Sequence, residues 1–364
     1  MMAFPNGEVS IGAGQKQSGG EGHARWRTDG IARPSGAPVI PDREAGMIVI
    51  GADATRDALP FADLVPALRE AFATGAKVPA RHHHAIPRPD GTTATLLLMP
   101  AWQDGGGFIG VKIVTIFPGN GARNLPGLYS TYLLSDGETG APLALLDGNE
   151  ITGRRTVGVS ALAASFLARE DASSLLIVGS GRIASLAPAA FRAVRPIRSV
   201  MVWDRHFPKA AALADDLARQ GFEASAVSSL EQAASAADIV SCATMSIEPL
   251  IRADWLRPGT HLDLIGSFRP DMREADDACV VRGRIYVDSI EALVESGDLA
   301  LPIRDGVIGR DALAGTLAQL CAGTVRGRTG DDELTVFKSV GTALSDIAAG
   351  VLAYRTLSGP QVAE

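Results

Sequence analysis

The chain has 364 residues, enough for two domains of ordinary size, and its 46% hydrophobic and 21% charged content is that of a globular protein. A net charge of -7 with no basic cluster gives no footprint for nucleic acid or an anionic membrane. Cys242, Cys279 and Cys321 show neither disulfide nor metal spacing, and no apolar run is long enough to span a bilayer, so a cytoplasmic protein is expected. Residues 1–46 are dominated by Gly, Ser, Pro, Gln and charge, with no apolar periodicity and no signal-peptide core. They are expected to be a disordered tail or a mis-assigned start. The apolar IleValIle immediately after Met47 favours Met47 as the natural first residue.

Further on, Leu64, Val65, Leu68, Ala71 and Phe72 recur at helical spacing and predict a helix over 61–73. Strands are predicted over 95–100, 108–117 and 129–135, and the AspGlyGluThrGly of 136–140 turns the last into a hairpin. Neighbouring strands with polar turns predict a mainly antiparallel sheet. A long helix over 150–168 then leads into a glycine-rich segment.

That segment is a strand, a turn, a helix and a second strand in register. The apolar run from Ser174 enters Gly179-Ser180-Gly181-Arg182-Ile183-Ala184, and the next apolar run ends on Asp204. This is the G-x-G-x-x-A dinucleotide fingerprint. Gly179 permits the tight turn, Gly181 lets the backbone approach a pyrophosphate, and Ala184 lets helix and strand pack closely. Free N–H groups at the helix start suit the pyrophosphate, and Asp204 suits a ribose diol. Asp204 favours NAD(H), whereas Arg205 and His206 after it accommodate a 2′-phosphate, so NAD(H) and NADP(H) both stay open.

Alternation continues beyond Asp204. Helices are predicted over 208–220 and 230–237, strands near 224 and over 238–244, 261–267 and 284–288, and a closing helix over 335–356. The fold class predicted is α/β: a Rossmann doubly wound domain plus a second α+β domain for substrate and dimerisation. The second domain takes 47–158 with 335–360, and the Rossmann domain takes 159–334.

Several residues outside the fingerprint bear on chemistry. Lys112 stands in the middle of an apolar strand, where an ammonium without an anionic partner is expensive. An internal ion pair, the solvated face of an edge strand and a ligand contact are the three ways to satisfy it. Arg155 opens a helix after AspGlyAsn, with Arg154 beside it the better candidate for a merely solvated arginine. Arg81 follows ValProAla ahead of a strand. The run His82-His83-His84 invites a metal reading, but neighbours on a strand point to opposite faces and no carboxylate or cysteine cluster accompanies them. No metal is expected, and one of the three histidines is expected to face a pocket.

The chain resembles the ornithine cyclodeaminase/μ-crystallin family. The likeness runs through GlyValLysIleValThrIlePhePro (110–118), LeuAspGlyAsnGluIleThrGlyArgArgThr (146–156), GlySerPheArgProAspMetArgGlu (266–274) and ThrValPheLysSerValGly (335–341), in the family's order. It implies that Arg81, Lys112 and Arg155 converge on a substrate carboxylate, with Lys112 and Arg155 as the catalytic pair. It also implies a homodimer built on the second domain's sheet. The cofactor set comprises Thr156, Gly179, Gly181, Arg182, Ile183, Ala184, Asp204, Arg205, Thr244 and Ser339.

Two departures sharpen the reading. Members that deaminate look to need a Glu two residues before the Met-Pro pair, where this chain has Leu97, and an Asp after a Gly-Gly turn, where Gly266-Ser267 leads into Phe268. Asp271 and Glu274 lie nearby but do not match the catalytic acid. A Leu and a Phe suit an uncharged ring. The run 263–277 resembles the family's Δ1-pyrroline-2-carboxylate reductases, which implies NAD(P)H-dependent reduction of a cyclic 2-imino acid to L-proline or L-pipecolate. Lys112 or a water is the candidate proton donor. Ornithine cyclodeamination, an alanine dehydrogenase-like activity and non-catalytic cofactor binding are the alternatives.

Overall fold

The structure, a computed structural model, describes residues 46–359. The expected tail therefore lies, apart from Gly46, outside the described residues. The first sheet has six strands: β1 (Ile48–Ile50), β2 (His82–Pro87), β3 (Thr93–Trp102), β4 (Phe108–Ile116), β5 (Leu128–Asp136) and β6 (Pro142–Asp147), in the order β1-β6-β5-β4-β3-β2. Every neighbouring pair is antiparallel except β1 with β6, in keeping with the mainly antiparallel sheet expected.

Strand alternation gives this sheet two different faces. Met99, Lys112, Val114, Tyr132 and Leu146 are buried on one. Leu98, Val111, Ile113, Leu133 and Leu145 point the other way and stay part-exposed. The buried face is covered by α1 (Ala52–Asp57), α2 (Phe61–Thr74), α3 (Gly148–Leu167) and the last helix of the chain. α2 buries Phe61, Leu64, Val65, Leu68 and Phe72 along the stripe its sequence spacing predicts, and ends at Gly75, whose φ of 80° suits glycine.

The second sheet is wholly parallel. It contains β7 (Ser174–Val178), β8 (Ser199–Trp203), β9 (Glu223–Ala226), β10 (Ile239–Cys242), β11 (His261–Leu264), β12 (Arg284–Val287), β13 (Leu313–Thr316) and β14 (Thr335–Lys338). Their order is β13-β12-β14-β11-β10-β7-β8-β9. The intervening helices are α4 (Arg182–Arg192), α5 (Phe207–Arg219), α6 (Leu230–Ala236), α7 (Asp277–Arg282), α8 (Ala292–Glu295), α9 (Gly297–Arg304) and α10 (Leu317–Cys321), with α11 (Ala343–Ser358) closing the described chain. In β7, Leu175 and Ile177 enter one core cluster while Leu176 and Val178 enter another. A strand buried on both faces needs a continuous apolar run rather than alternation, which is why residues 174–178 read as they do.

Two expectations are corrected. The closing helix predicted over 335–356 begins only at Ala343, and Thr335–Lys338 is instead a central strand between β11 and β12. Arg155 does not open its helix. α3 starts at Gly148, with the Asp147 carboxylate accepting from the Glu150 N–H at 2.7 Å, so Arg155 lies two turns inside.

Candidate active site

The crossover at β7 builds the first half of the site. In this parallel sheet the order reverses between β8 on one side of β7 and β10 on the other, the position where ligands sit outside the carboxyl ends of strands. Gly179 directly follows β7 with φ 112°, and a Cβ there would stand 2.7 Å from the Ala243 carbonyl oxygen, so only glycine fits. Gly181 is the N-cap of α4 and supplies no side-chain cap, and a Cβ on it would meet nothing within 4 Å. Open space therefore lies in front of free helix N–H groups. Ala184 is fully buried between α4 and the sheet, Ile183 is half-buried, and Arg182 reaches back to pair with Glu150 at 2.9 Å.

Asp204 follows β8. Its Oδ2 accepts from the Ser180 hydroxyl at 2.6 Å and its Oδ1 from the His206 N–H at 2.8 Å. Burial works against its ionisation, but those two bonds and the nearby Lys209 and His206 outweigh it and hold the carboxyl below its ordinary range. A carboxylate has lone pairs to spare for a diol. Arg205 is exposed beside it. Thr244 follows β10 and Ser339 follows β14, so both belong to the same edge of the sheet. Thr156 is half-buried on α3.

The second half of the site is cationic. Lys112 (β4) and Arg155 (α3) are 3% and 6% exposed and share one carboxylate, Asp346 on α11. Lys112 Nζ donates to Asp346 Oδ1 at 2.9 Å and lies 2.8 Å from Oδ2, and Arg155 Nε donates to Oδ1 at 2.8 Å. The internal ion pair considered for Lys112 is therefore formed. It does not fully compensate burial: desolvation pushes Lys112 down to about 8 against the pull of Asp346, with Arg155 and Arg81 adding to the fall. Desolvation also opposes ionisation of Asp346, yet Arg155 and Lys112 win and keep it below its usual range.

Arg81 approaches from the end of the loop before β2. Its Nη2 donates to the Gly341 carbonyl at 2.8 Å and lies 3.4 Å from Glu295 Oε2. Gly341 is the pivot. It has φ 80°, and a Cβ there would stand 2.6 Å from Arg155 Nη1. Its N–H is held by Asp288 at 2.7 Å. Arg81, Lys112 and Arg155, named from sequence, are thus brought together around the β14–α11 connection. Because Asp346 takes Nε of Arg155, the Nη edge of that guanidinium stays available. Arg154 is not merely solvated as expected: its Nε donates to the Leu59 carbonyl at 2.7 Å and its guanidinium stacks over Phe61.

Gly153, two residues before Arg155, joins the two halves. A Cβ there would lie 3.1 Å from Arg182 Nε, so α3 passes against the fingerprint helix at that point. Leu97, one strand over from Lys112, faces the same side of the sheet, paired with His83 and Val114. Phe268 is half exposed in the loop after β11.

Sequence reasoning missed Asp346, Asp288, Glu295 and a buried polar cluster. Glu274 is fully buried and accepts from Thr244 N–H, Thr244 Oγ1 and Gly266 N–H at 2.7–2.8 Å, clamping the loops after β10 and β11. Burial pushes its carboxyl up, opposed by Lys338. Asp298 accepts the Glu274 N–H at 2.8 Å and lies 3.6 Å from Lys338. One signal was available: Asp346 is an acid inside the apolar run 343–351, which demands a cation.

Fold and site together define a dinucleotide-binding α/β protein with a separate cationic pocket. The sequence model of the ornithine cyclodeaminase/mu-crystallin family matches residues 49–360, and the chain belongs to that family. It is 43% identical to the Δ1-pyrroline-2-carboxylate reductase of Paracoccus denitrificans over 73% of this chain and 85% of that one. It is 35% identical to the reductase of the same name from Colwellia psychrerythraea, over 83% and 97% respectively. The structure of Thermococcus litoralis Δ1-pyrroline-2-carboxylate reductase in complex with NADH and L-proline superposes with a TM-score of 0.80, at 33% identity, covering 86% and 98% of the two chains.

Proposed function

We propose that this protein reduces a cyclic 2-imino acid, Δ1-pyrroline-2-carboxylate or Δ1-piperideine-2-carboxylate, to L-proline or L-pipecolate with NADH or NADPH. It is an NAD(P)-dependent oxidoreductase acting on a C=N bond. The observation that carries the reading is the meeting of Arg81, Lys112 and Arg155 beside the apolar Leu97. An α-carboxylate answers the cations and an uncharged ring answers the leucine.

The residues fit the cofactor: the Gly181 cradle is open, the α4 N-terminus is uncapped, and Asp204 is held ionised by Ser180. Gly179, Arg182, Ile183, Ala184, Thr244 and Ser339 line the same strand ends, with Thr156 on α3 behind them. When bound, the reduced nicotinamide supplies a hydride. The chain's own part is positioning: Arg155, braced by Asp346 and by Gly341, orients the carboxylate through its Nη edge, and Lys112 adds a second charge. In this reading residues 159–334 with β14 hold the cofactor, while residues 47–158 with α11 hold the substrate and pair two copies of the chain. Among the described residues no helix is long and apolar enough to cross a membrane, and a cytoplasmic location goes with the same reading.

The test is an initial-rate assay of both imines and of L-ornithine, each with NADH and with NADPH. Imine-dependent cofactor oxidation is expected, with little ammonia from ornithine. Robust ammonia release from ornithine would instead make the protein a cyclodeaminase.

A further inference from the structure

The reaction just described needs a proton as well as a hydride, and neither Arg81 nor Arg155, always charged, supplies one. Lys112 is buried and its ammonium donates to Asp346. Leu97 has no proton to give.

The three successive histidines of β2 are separated by the pleat. His82 and His84 lie on one face, their rings edge-to-face with centroids 6.4 Å apart. His83 therefore points to the other face. There it stands directly across β3 from Leu97, which in turn pairs with Val114, two residues along β4 from Lys112. Arg81 precedes His83 by two residues and begins the same side of the edge. Two residues of strand span about 6.8 Å and two strand spacings about 9.6 Å, so the His83 and Lys112 backbones stand about 12 Å apart on the same face, with their side chains reaching in from the two ends. His83 is exposed.

We propose that His83 is the acid that protonates the imine nitrogen. The inference rests on the reductase reading above. With the carboxylate held by Arg81, Lys112 and Arg155, the C=N bond lies one bond further out, toward the His83 row. The imine carbon gains the hydride, the C=N π pair moves onto nitrogen, and nitrogen takes the proton from the His83 imidazolium, leaving a C–H, an N–H, neutral imidazole and oxidised cofactor. Exposure gives His83 direct access to water, whereas Lys112 is sealed behind Asp346. The charged groups on the side of His83 are Arg81 in the loop just before its strand, with Glu295 of α8 beside it, and Lys112 two strands over on β4; β3 presents no charge between them.

The experiment compares His83→Gln with wild type and with His84→Gln, whose side chain is on the opposite face. Steady-state rates are taken from pH 5.5 to 9, and L-proline and NADH binding are measured by calorimetry. His83→Gln is expected to cut kcat at least ~100-fold and to abolish the fall in kcat toward alkaline pH, with both binding constants within threefold of wild type. His84→Gln should behave as wild type. A His83→Gln kcat within threefold of wild type, or an unchanged alkaline limb pointing to Lys112, would overturn the proposal. So would loss of NADH binding or of melting temperature in step with the rate, which marks a structural role. If wild type reduces neither imine, the reductase reading itself fails; turnover by wild type and by His83→Gln alike removes only the acid.

Discussion

Asp346 is the residue on which the cationic pocket depends. Fully buried, it stands between two cations that have no other carboxylate within ion-pair distance among the described residues. Removing one member of a buried ionic set leaves uncompensated charge, which typically costs about 3–5 kcal/mol, far more than the net worth of the intact set. Asp346→Asn should therefore lower the unfolding free energy in urea by about that amount. Adding Lys112→Met to the same chain should recover part of the loss, since it removes one stranded ammonium. A loss under about 1 kcal/mol would show that Lys112 simply deprotonates, its titration point already being near about 8. Neither partnership was legible in the sequence: Asp346 is 234 residues from Lys112 and 191 from Arg155, and no local pattern joins them. The identities of Arg81, Lys112 and Arg155 came from resemblance; what the chain alone announced was a charge out of place in an apolar strand.

Among the elements, those with local determinants were the ones read correctly. The β7–α4–β8 unit was legible because its turn needs glycine for a positive φ and its acid ends an apolar run. β14 was read as helix because four apolar-rich residues running into an apolar helix carry no period that separates the two. Its neighbour β11 carries a polar oddity with a consequence for stability. Asp263 is fully buried, accepts from Ser241 at 2.6 Å, and is pushed by burial from 3.8 up to about 6, with Ser241, Ser160 and Lys338 opposing. The folded chain thus holds this proton more tightly than the unfolded one. Below about pH 4 both states are protonated and the group is neutral in effect. Between about 4 and 6 the unfolded state ionises first, so stability falls as pH rises; above about 6 a constant penalty on the order of 3 kcal/mol remains. Asp263→Asn, which keeps the acceptor for Ser241, should raise the melting temperature relative to wild type at pH 7.5. That difference should shrink to a small fraction of its size by pH 4. A variant no more stable than wild type at pH 7.5 would mean that Asp263 is satisfied as an anion.

At the scale of the molecule, among the described residues the parallel sheet is covered on both faces whereas the six-stranded sheet is covered on one. Its other face carries an apolar row across five strands, Val49, Leu145, Leu133, Val111 and Pro100, with Leu98 and Ile113 alongside. Val49 is 75% exposed and Ile113 37%. Six strands about 4.8 Å apart and roughly seven residues long make a face on the order of 700 Å². That is close to the ~800 Å² per partner of a standard stable interface. A second copy presenting the same face would satisfy it by two-fold symmetry, because a row on one subunit would meet its own equivalent. The arrangement also backs the pocket, since Lys112 points away from this face while its neighbours Val111 and Ile113 point into it. Ile113→Glu places a carboxylate near the middle of that surface, where each subunit would bring the same charge against the other. Sedimentation should show a dimer for wild type and a monomer for Ile113→Glu at micromolar concentration. The monomer should lose imine turnover more than NADH binding, because the sheet that loses its support carries Lys112 and the fingerprint belongs to the other. A wild-type monomer, or an Ile113→Glu dimer of unchanged affinity, would place the contact elsewhere.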